Sequence, residues 1–295
     1  MASRINHVVH FFAARFFCHF LVSRWEQARQ IRTMPITLRF PIRRLSQSEF
    51  AEISFEVMRH VFAIHNEIGR FFNEGIYKQE MAYRLPGVRL EEPIDVTFGA
   101  FRTQLFVDAI VADGALFEFK AVEALGAPHR AQLLHYLLLC DVAHGKLVNV
   151  RPEDVEHEYV NTQWTLAGRR RFEIDCTRWN SIEPATTELY DFVIALLRDL
   201  GTGLEIPLYD EAVSHHFGNS TTVETEVPVV LNGRKLGHQR FHLISPGVAV
   251  KITSFERRLE AFEIHARRLL ACVDLRAIAW VNITMKQVAF TMLER

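Results

Sequence analysis

Phe106–Lys120 reads FVDAIVADGALFEFK, and this stretch decides how the rest of the chain is understood. Two apolar runs, FVDAIV and ALFEFK, flank Ala112-Asp113-Gly114, a turn signal, so the segment reads as a β-hairpin. Side chains alternate faces along a strand. Glu118 and Lys120 therefore point one way, while Phe117 and Phe119 point the other. The hairpin brings Asp108, on its first strand, beside Glu118 on its second. Two carboxylates and one ammonium then converge on one spot. The neighbours Leu116, Phe117 and Phe119 mark a central, buried strand, where two charges need a reason to be.

Working outward, SFEVMRHVFAIHNEIGRFF starts at Ser54 and carries apolar residues at helical spacing: Phe55, Met58, Val61, Phe62, Ile64 and Ile68. The regular pattern sets in at Ser46, and Gly69 ends it. NEGIYKQEMAYRL reads as a second helix or a continuation of the first, closed by Pro86-Gly87. RLEEPIDVTFG reads as a strand before the hairpin. PHRAQLLHYLLLCDVA reads as a helix with Pro128 near its start, and GKLVNV as a short strand. Helix, three strands, helix, strand is an α/β order, which implies a mixed sheet flanked by helices. HEYVNTQWTLAGRRRFEIDC reads as a hairpin extension turning at Ala167-Gly168, and SIEPATTEL as a linker.

The chain has 295 residues, which suggests two domains. It is 49% hydrophobic with a net charge of -1, so a protein that coats DNA by bulk positive charge is excluded and any nucleic-acid contact must come from local patches. Cys18, Cys140, Cys176 and Cys272 are scattered without a CxxC pair, which argues against structural zinc or a disulfide framework and makes a reducing cytoplasm the default. HVVHFFAARFFCHFLV near the start is interrupted by Arg15 and three histidines and does not make a comfortable membrane span. Residues 1–45 are expected to be an N-terminal extension, amphipathic or disordered, with Met34 as an alternative start. No GxxxxGK[ST], GxGxxG, HExxH or GxSxG occurs, so P-loop, dinucleotide, zinc-protease and serine-hydrolase chemistry lack support.

Shifted by 132 residues, the second half echoes the first: Ile68-Gly69 falls on Leu200-Gly201 and Tyr77 on Tyr209. Further on the shift is 133, and CDVAHGKLVNV is set against VDLRAIAWVNI, with Asn149 on Asn282. The echo fails where the charges lie. With a one-residue deletion in the turn, Asp108 falls on His242, Glu118 on Lys251 and Lys120 on Thr253. Residues shared by both halves, including Tyr77/Tyr209, Asn149/Asn282 and Glu92/Glu226, are therefore expected to serve the fold, and charges held by the first half alone to serve chemistry. The division expected is 46–160 for the first domain, 161–185 for a hairpin and linker, and 186–295 for a degenerate copy.

Gly69, Glu74 and Tyr77 in GRFFNEGIY, then VDAIV, FEFKAV, HRAQLLHYL and LVNV, resemble the GxxExxY protein family of the PD-(D/E)XK nuclease-like superfamily. The resemblance spans about residues 55–155 and, more faintly, 190–290. Phe71 stands where the family usually has a glycine three residues before the glutamate, and Ile206 replaces that glutamate in the second copy. The resemblance implies a restriction-endonuclease-like α/β core, present twice in tandem. It also implies that Glu74 approaches the site from a helix and that Gln132 stands beside the lysine.

The expected site is Asp108, Glu118, Lys120, Gln132 and Glu74, with Asp108 and Glu118 as ligands of Mg²⁺ or Mn²⁺ and Lys120 orienting or activating a water. Glu74 has the alternative of a solvated helix charge. His129 and Tyr136 share a helical spacing with Gln132, and Arg169-Arg170-Arg171 and Arg43-Arg44 are candidate phosphate contacts or solvated loops. The expected function is a Mg²⁺-dependent nuclease acting on nucleic acid, DNA ahead of RNA, in the cytoplasm and without a membrane. Its two domains are expected to pack as an internal pseudo-dimer. The alternative is a catalytically inactive nucleic-acid- or protein-binding module that kept the fold.

Overall fold

The computed structural model describes residues 34–218 and 224–295. The expected residue 1–33 portion of the N-terminal extension, including the amphipathic or disordered reading, lies outside them. The chain divides into two compact units, Met34–Gly168 and Arg169–Arg295.

In the first unit the elements run β1 (Ile36–Leu38), α1 (Gln47–Ile68), α2 (Glu74–Arg84), β2 (Arg89–Phe98), β3 (Phe101–Val111), β4 (Ala115–Lys120), α3 (Ala127–Cys140), β5 (His144–Asn149) and β6 (Glu156–Asn161). The strands form one sheet in sequence order, antiparallel except between β4 and β5. Residues 34–45, set outside the domain by the sequence reading, supply β1, which pairs with β2.

Local chemistry explains the element ends. Ser46 caps α1 in a reciprocal capping box with Glu49, and Gly69, at φ 76°, stops it in a conformation that only glycine adopts without strain. Asn73 caps α2 by accepting from the Ile76 N–H. Ala112 and Asp113 both have positive φ, which makes the β3–β4 turn of the primed type that matches strand twist. A side chain at Gly114 would come within 2.4 Å of the Arg43 carbonyl oxygen, so glycine is required there.

α1 and α2 pack on one face of the sheet, where Val57, Met58, Val61, Ile64, Tyr77 and Met81 meet Ala109, Val111, Phe117 and Phe119. Burying each large apolar side chain of that set contributes about 1.5–3 kcal/mol. Phe55 and Phe62, counted in the apolar stripe of α1, lie instead on its outer face, because the buried stripe runs through Phe50, Val57, Val61 and Ile64. α3 packs close to the sheet at Gly145, where a side chain would meet Leu133 and Leu137 at 3.0 Å.

The second unit contains β7 (Glu173–Arg178), α5 (Pro184–Leu200), α6 (Ile206–Phe217), β8 (Glu224–Leu231), β9 (Arg234–Ser245), β10 (Val248–Thr253), α7 (Leu259–Cys272), β11 (Ala277–Ile283) and β12 (Gln287–Glu294), after a helical turn α4 (Leu166–Arg169). Its sheet runs β7-β12-β11-β10-β9-β8. Five of these strands repeat the order and sense of β2–β6, with the parallel pair β10–β11 in the place of β4–β5. Mixed α/β architecture with helix-flanked sheets therefore occurs twice, as expected. Each unit adds one edge strand of its own, β1 beside β2 and β7 beside β12.

The hairpin expected between 156 and 178 does not form. β6 pairs with β5, and β7 pairs in parallel with β12, so the two strands belong to different sheets. Arg169 is fully buried and donates to the carbonyls of Leu200 and Thr202, while Arg170 donates to that of Asp199. These two arginines tie down the end of α5, where unpaired carbonyls attract cations, and are not phosphate contacts on a loop tip. Cys140 and Cys272 are free and Cys176 is disulfide-bonded, a departure from the reduced state read from the spacing. Among the described residues no helix is long and apolar enough to cross a membrane.

Candidate active site

Three neighbouring strands present one carboxylate each. The β3–β4 ladder runs from the turn through Ile110↔Leu116 to Ala109↔Phe117, and one further step sets Asp108 opposite Glu118. There the ladder gives way, and the Asp108 side chain takes over: its Oδ2 accepts from the Phe119 N–H at 2.8 Å. On the other side, the β2–β3 register pairs Leu90 with Ala109 and Glu92 with Val107, which leaves Glu91 opposite Asp108. Glu91 has φ 51°, a left-handed kink in an otherwise extended strand.

Two ammonium groups lie among these acids. Lys120 Nζ donates to Glu118 Oε1 at 2.6 Å. Lys78, on α2, donates to Asp108 Oδ1 at 2.8 Å and also to Glu91. Glu118 is 1% exposed, and its second oxygen is buried with no hydrogen-bond partner among the described residues. An orphaned carboxylate oxygen at that depth is costly unless something charged or polar meets it.

The electrostatics confirm that the groups share one environment. Burial, and then the Asp108 charge, push the Glu118 carboxyl up to about 8, against the pull of Lys120. Glu74 is raised by burial first and by Asp108 second, while Lys120 and Lys78 oppose the shift. Burial acts to lower Lys78, but its bonds to Asp108 and Glu91 outweigh that and raise it. Lys120 is raised in the same way by Glu118. Tyr136, on α3, is raised by burial and by the Glu118 and Asp108 charges, and its hydroxyl receives a long hydrogen bond from Gln132 at 3.4 Å.

Of the residues expected from sequence, Asp108, Glu118, Lys120 and Glu74 thus come together, and Gln132 reaches the cluster through Tyr136. His129 does not take part. Its Nδ1 accepts from the Gly126 N–H and caps α3. Arg43 and Arg44 are engaged elsewhere, Arg43 with Glu49 and Arg44 with Asp141. Lys78 and Glu91 were missed. Lys78 lies four residues after Glu74 on the same helical face, a spacing that was legible. Glu91 is the neighbour of Glu92, which is expected to serve the fold and sits beside Arg89 on its own strand.

The residues suit a hard divalent cation. Mg²⁺ characteristically takes one or two carboxylates and keeps several waters, and two carboxylates of adjacent strands, one with an unpartnered oxygen, match that donor set. Among the described residues no three acids, histidines or cysteines are grouped to hold a metal on their own.

Comparison with known proteins agrees with the class of site. Residues 51–161 match the family model described as the PD-(D/E)XK nuclease superfamily. That segment runs from within α1 to the end of β6 and includes every residue of the cluster. Nucleases of this superfamily generally use divalent metals. Among solved structures, one titled "Crystal structure of SSO0001" is similar at 17% identity, covering 51% of this chain and 79% of that one with a TM-score of 0.26. No curated protein matches.

Proposed function

We propose that the first unit is a Mg²⁺- or Mn²⁺-dependent nuclease of the GxxExxY type that hydrolyses phosphodiester bonds in nucleic acid, DNA ahead of RNA. One observation carries the reading. Asp108, Glu118 and Lys120 converge at a buried carboxylate whose remaining oxygen has no partner among the described residues. Asp108 and Glu118 would hold the ion, which when bound supplies positive charge to the phosphate and an acidified water. Lys120 Nζ, fixed by Glu118, is placed to hold a water by hydrogen bond and to stabilise charge developing on phosphate oxygens. Glu74, with its raised affinity for a proton, suits proton transfer at the rim, and Gln132 suits orientation of a polar group beside Tyr136.

The second unit is read as a degenerate copy arising by internal duplication, since it repeats the strand order without the acids. On this reading the second unit contributes binding or positioning and no second active site. The rival, a binding module that retains the fold, is favoured by one fact: Asp108 already has both oxygens engaged. Incubation of the purified chain with single- and double-stranded DNA and RNA, with Mg²⁺ or Mn²⁺, decides between them. Cleavage that disappears in Lys120→Ala and Asp108→Ala supports the nuclease. Nucleic-acid binding without such cleavage supports the module.

A further inference from the structure

We propose that Lys78 is a built-in second cation of this site, so that the cluster takes up one divalent ion on the Asp108–Glu118 pair and none on the Asp108–Glu91 pair. The inference rests on the nuclease reading above and goes on to fix the stoichiometry of the ion and the identity of the group that sets it.

The geometry comes first. Asp108 stands in the middle of three carboxylates, with Glu118 on one side and Glu91 on the other. Either flank offers two acids to a cation. On the Glu91 flank the position is filled, because Lys78 bonds both Asp108 Oδ1 and Glu91. On the Glu118 flank, among the described residues, Asp108 Oδ2 accepts a single N–H, from Phe119, and Glu118 Oε2 has no partner. A carboxylate oxygen has two lone pairs, so Oδ2 keeps acceptor capacity there.

Charge gives the same count. With the acids ionised against a bound cation, Glu74, Glu91, Asp108 and Glu118 bring four negative charges, and Lys78 and Lys120 bring two positive ones, which leaves two negative charges. One divalent cation neutralises that remainder, whereas two would leave a surplus positive charge in a partly buried site. The Lys78 side chain is only 7% exposed and Asp108 12%, so the pair is weakly screened and water does not replace the ammonium freely. Lys78 acts on the ion through Asp108 and is a positioning residue in this scheme.

Calorimetric titration of the full chain with Mn²⁺ tests the proposal, using the natural protein, Lys78→Met and Glu91→Gln. The natural protein is expected to bind one ion. Lys78→Met, which keeps the bulk of the side chain and removes its charge, is expected to bind two. Glu91→Gln is expected to bind one, with Kd within about threefold of the natural value, because its carboxylate is not a ligand. Two ions on the natural protein, or one on a folded Lys78→Met, overturns the proposal and leaves the nuclease reading intact. No ion on the natural protein overturns both. If circular dichroism shows that Lys78→Met is unfolded, Glu91→Gln decides alone: loss of more than about tenfold in affinity, ~1.4 kcal/mol, makes Glu91 a ligand and overturns the proposal.

Discussion

The two units use one frame and opposite charges. In the first, Tyr77 donates to the Gly69 carbonyl at 2.5 Å. In the second, Tyr209 donates to the Gly201 carbonyl at 2.7 Å, and both glycines end a helix with φ near 80°. Asn149 clamps the backbone of Val122 through its N–H and C=O, and Asn282 clamps Phe255 in the same way. Lys120 is paired across the parallel strands with Asn149, and Thr253 with Asn282. On this common frame Glu118 is replaced by Lys251, and Lys78 by Asp210, which feels the Lys251 charge. The bulge between Val248 and Ala249 brings Phe241 into line with Asp108, and not His242 as the offset in the sequence suggests. His242 sits beside it, against Ser214 at 3.2 Å. The fold therefore tolerates either polarity at these positions, and the three aligned carboxylates of the first unit are not something the architecture needs.

The largest expected effect breaks the comparison directly. Glu118→Gln keeps shape and removes the charge, and cleavage is expected to fall by at least ~10²-fold, the scale at which a positioned charged group acts in catalysis. Lys251→Gln, the same change at the matching position, is expected to leave cleavage within about twofold, since no acid cluster surrounds it. Equal losses in the two variants, measured as initial rates on one labelled oligonucleotide, would mean that both units carry the chemistry.

The next effect is on stability and is expected to be symmetric. Asn149 is fully buried and Asn282 nearly so, and each satisfies a backbone N–H and C=O of the segment that follows the neighbouring strand, Val122 or Phe255. Removing either by Asn149→Ala or Asn282→Ala strands both groups and is expected to cost about 2–4 kcal/mol. Denaturant unfolding followed by hydrogen exchange in β5 and β11 separates the two. An effect confined to one unit would show that the matching bonds are not matching in energy.

A third prediction concerns pH and singles out the first unit. Burial first, and then the Asp108 charge, hold the Glu118 carboxyl at about 8 in the folded chain, well above the ordinary carboxylate range that it keeps when unfolded. Between these values the folded chain holds a proton that the unfolded chain has released, so stability falls as pH rises through that window. The loss is expected on the order of 2–3 kcal/mol in a chelator, since each pH unit of that window is worth at most ~1.4 kcal/mol and the Lys120 ammonium opposes part of it. Glu118→Gln should flatten the profile, and Mn²⁺ should restore stability above pH 8. A profile unchanged by the substitution would place the titration elsewhere.

What the sequence disclosed follows from the range of the forces involved. The hairpin was legible because strand alternation and the Ala112-Asp113-Gly114 turn are local, and so is the start of the helical pattern at Ser46. The fold-serving role of Tyr77 and Asn149 was legible because a second copy in the same chain shows what is kept when the acids go. Lys78 and Glu91 were not, because their meeting depends on how α2 docks over the sheet and on a single left-handed residue within β2. The run Arg169-Arg170-Arg171 misled for the opposite reason. Its charge suggested solvent, but carbonyls at the end of α5 draw Arg169 and Arg170 inward across ~30 residues of chain.

The smallest effect is the sharpest test of the shared frame. The Tyr77 oxygen donates to Gly69 and faces the backbone N–H of Phe72, and the Tyr209 oxygen donates to Gly201 and accepts from Leu204. Phe72 and Leu204 stand at the same offset as the two tyrosines, so the same pair of bonds is built twice. Tyr77→Phe and Tyr209→Phe delete only the hydroxyl, leave the ring packed, and are expected to cost about 1–2 kcal/mol each. Tyr77 sits one residue before Lys78 and three after Glu74, close to the acids in sequence, yet its hydroxyl is spent on the turn. Cleavage by Tyr77→Phe is therefore expected to stay within about threefold of the natural rate under conditions where the variant is folded. A tenfold loss of rate beside an unchanged stability would transfer Tyr77 from the frame to the chemistry, and the distinction between shared and unshared residues would fail at that position.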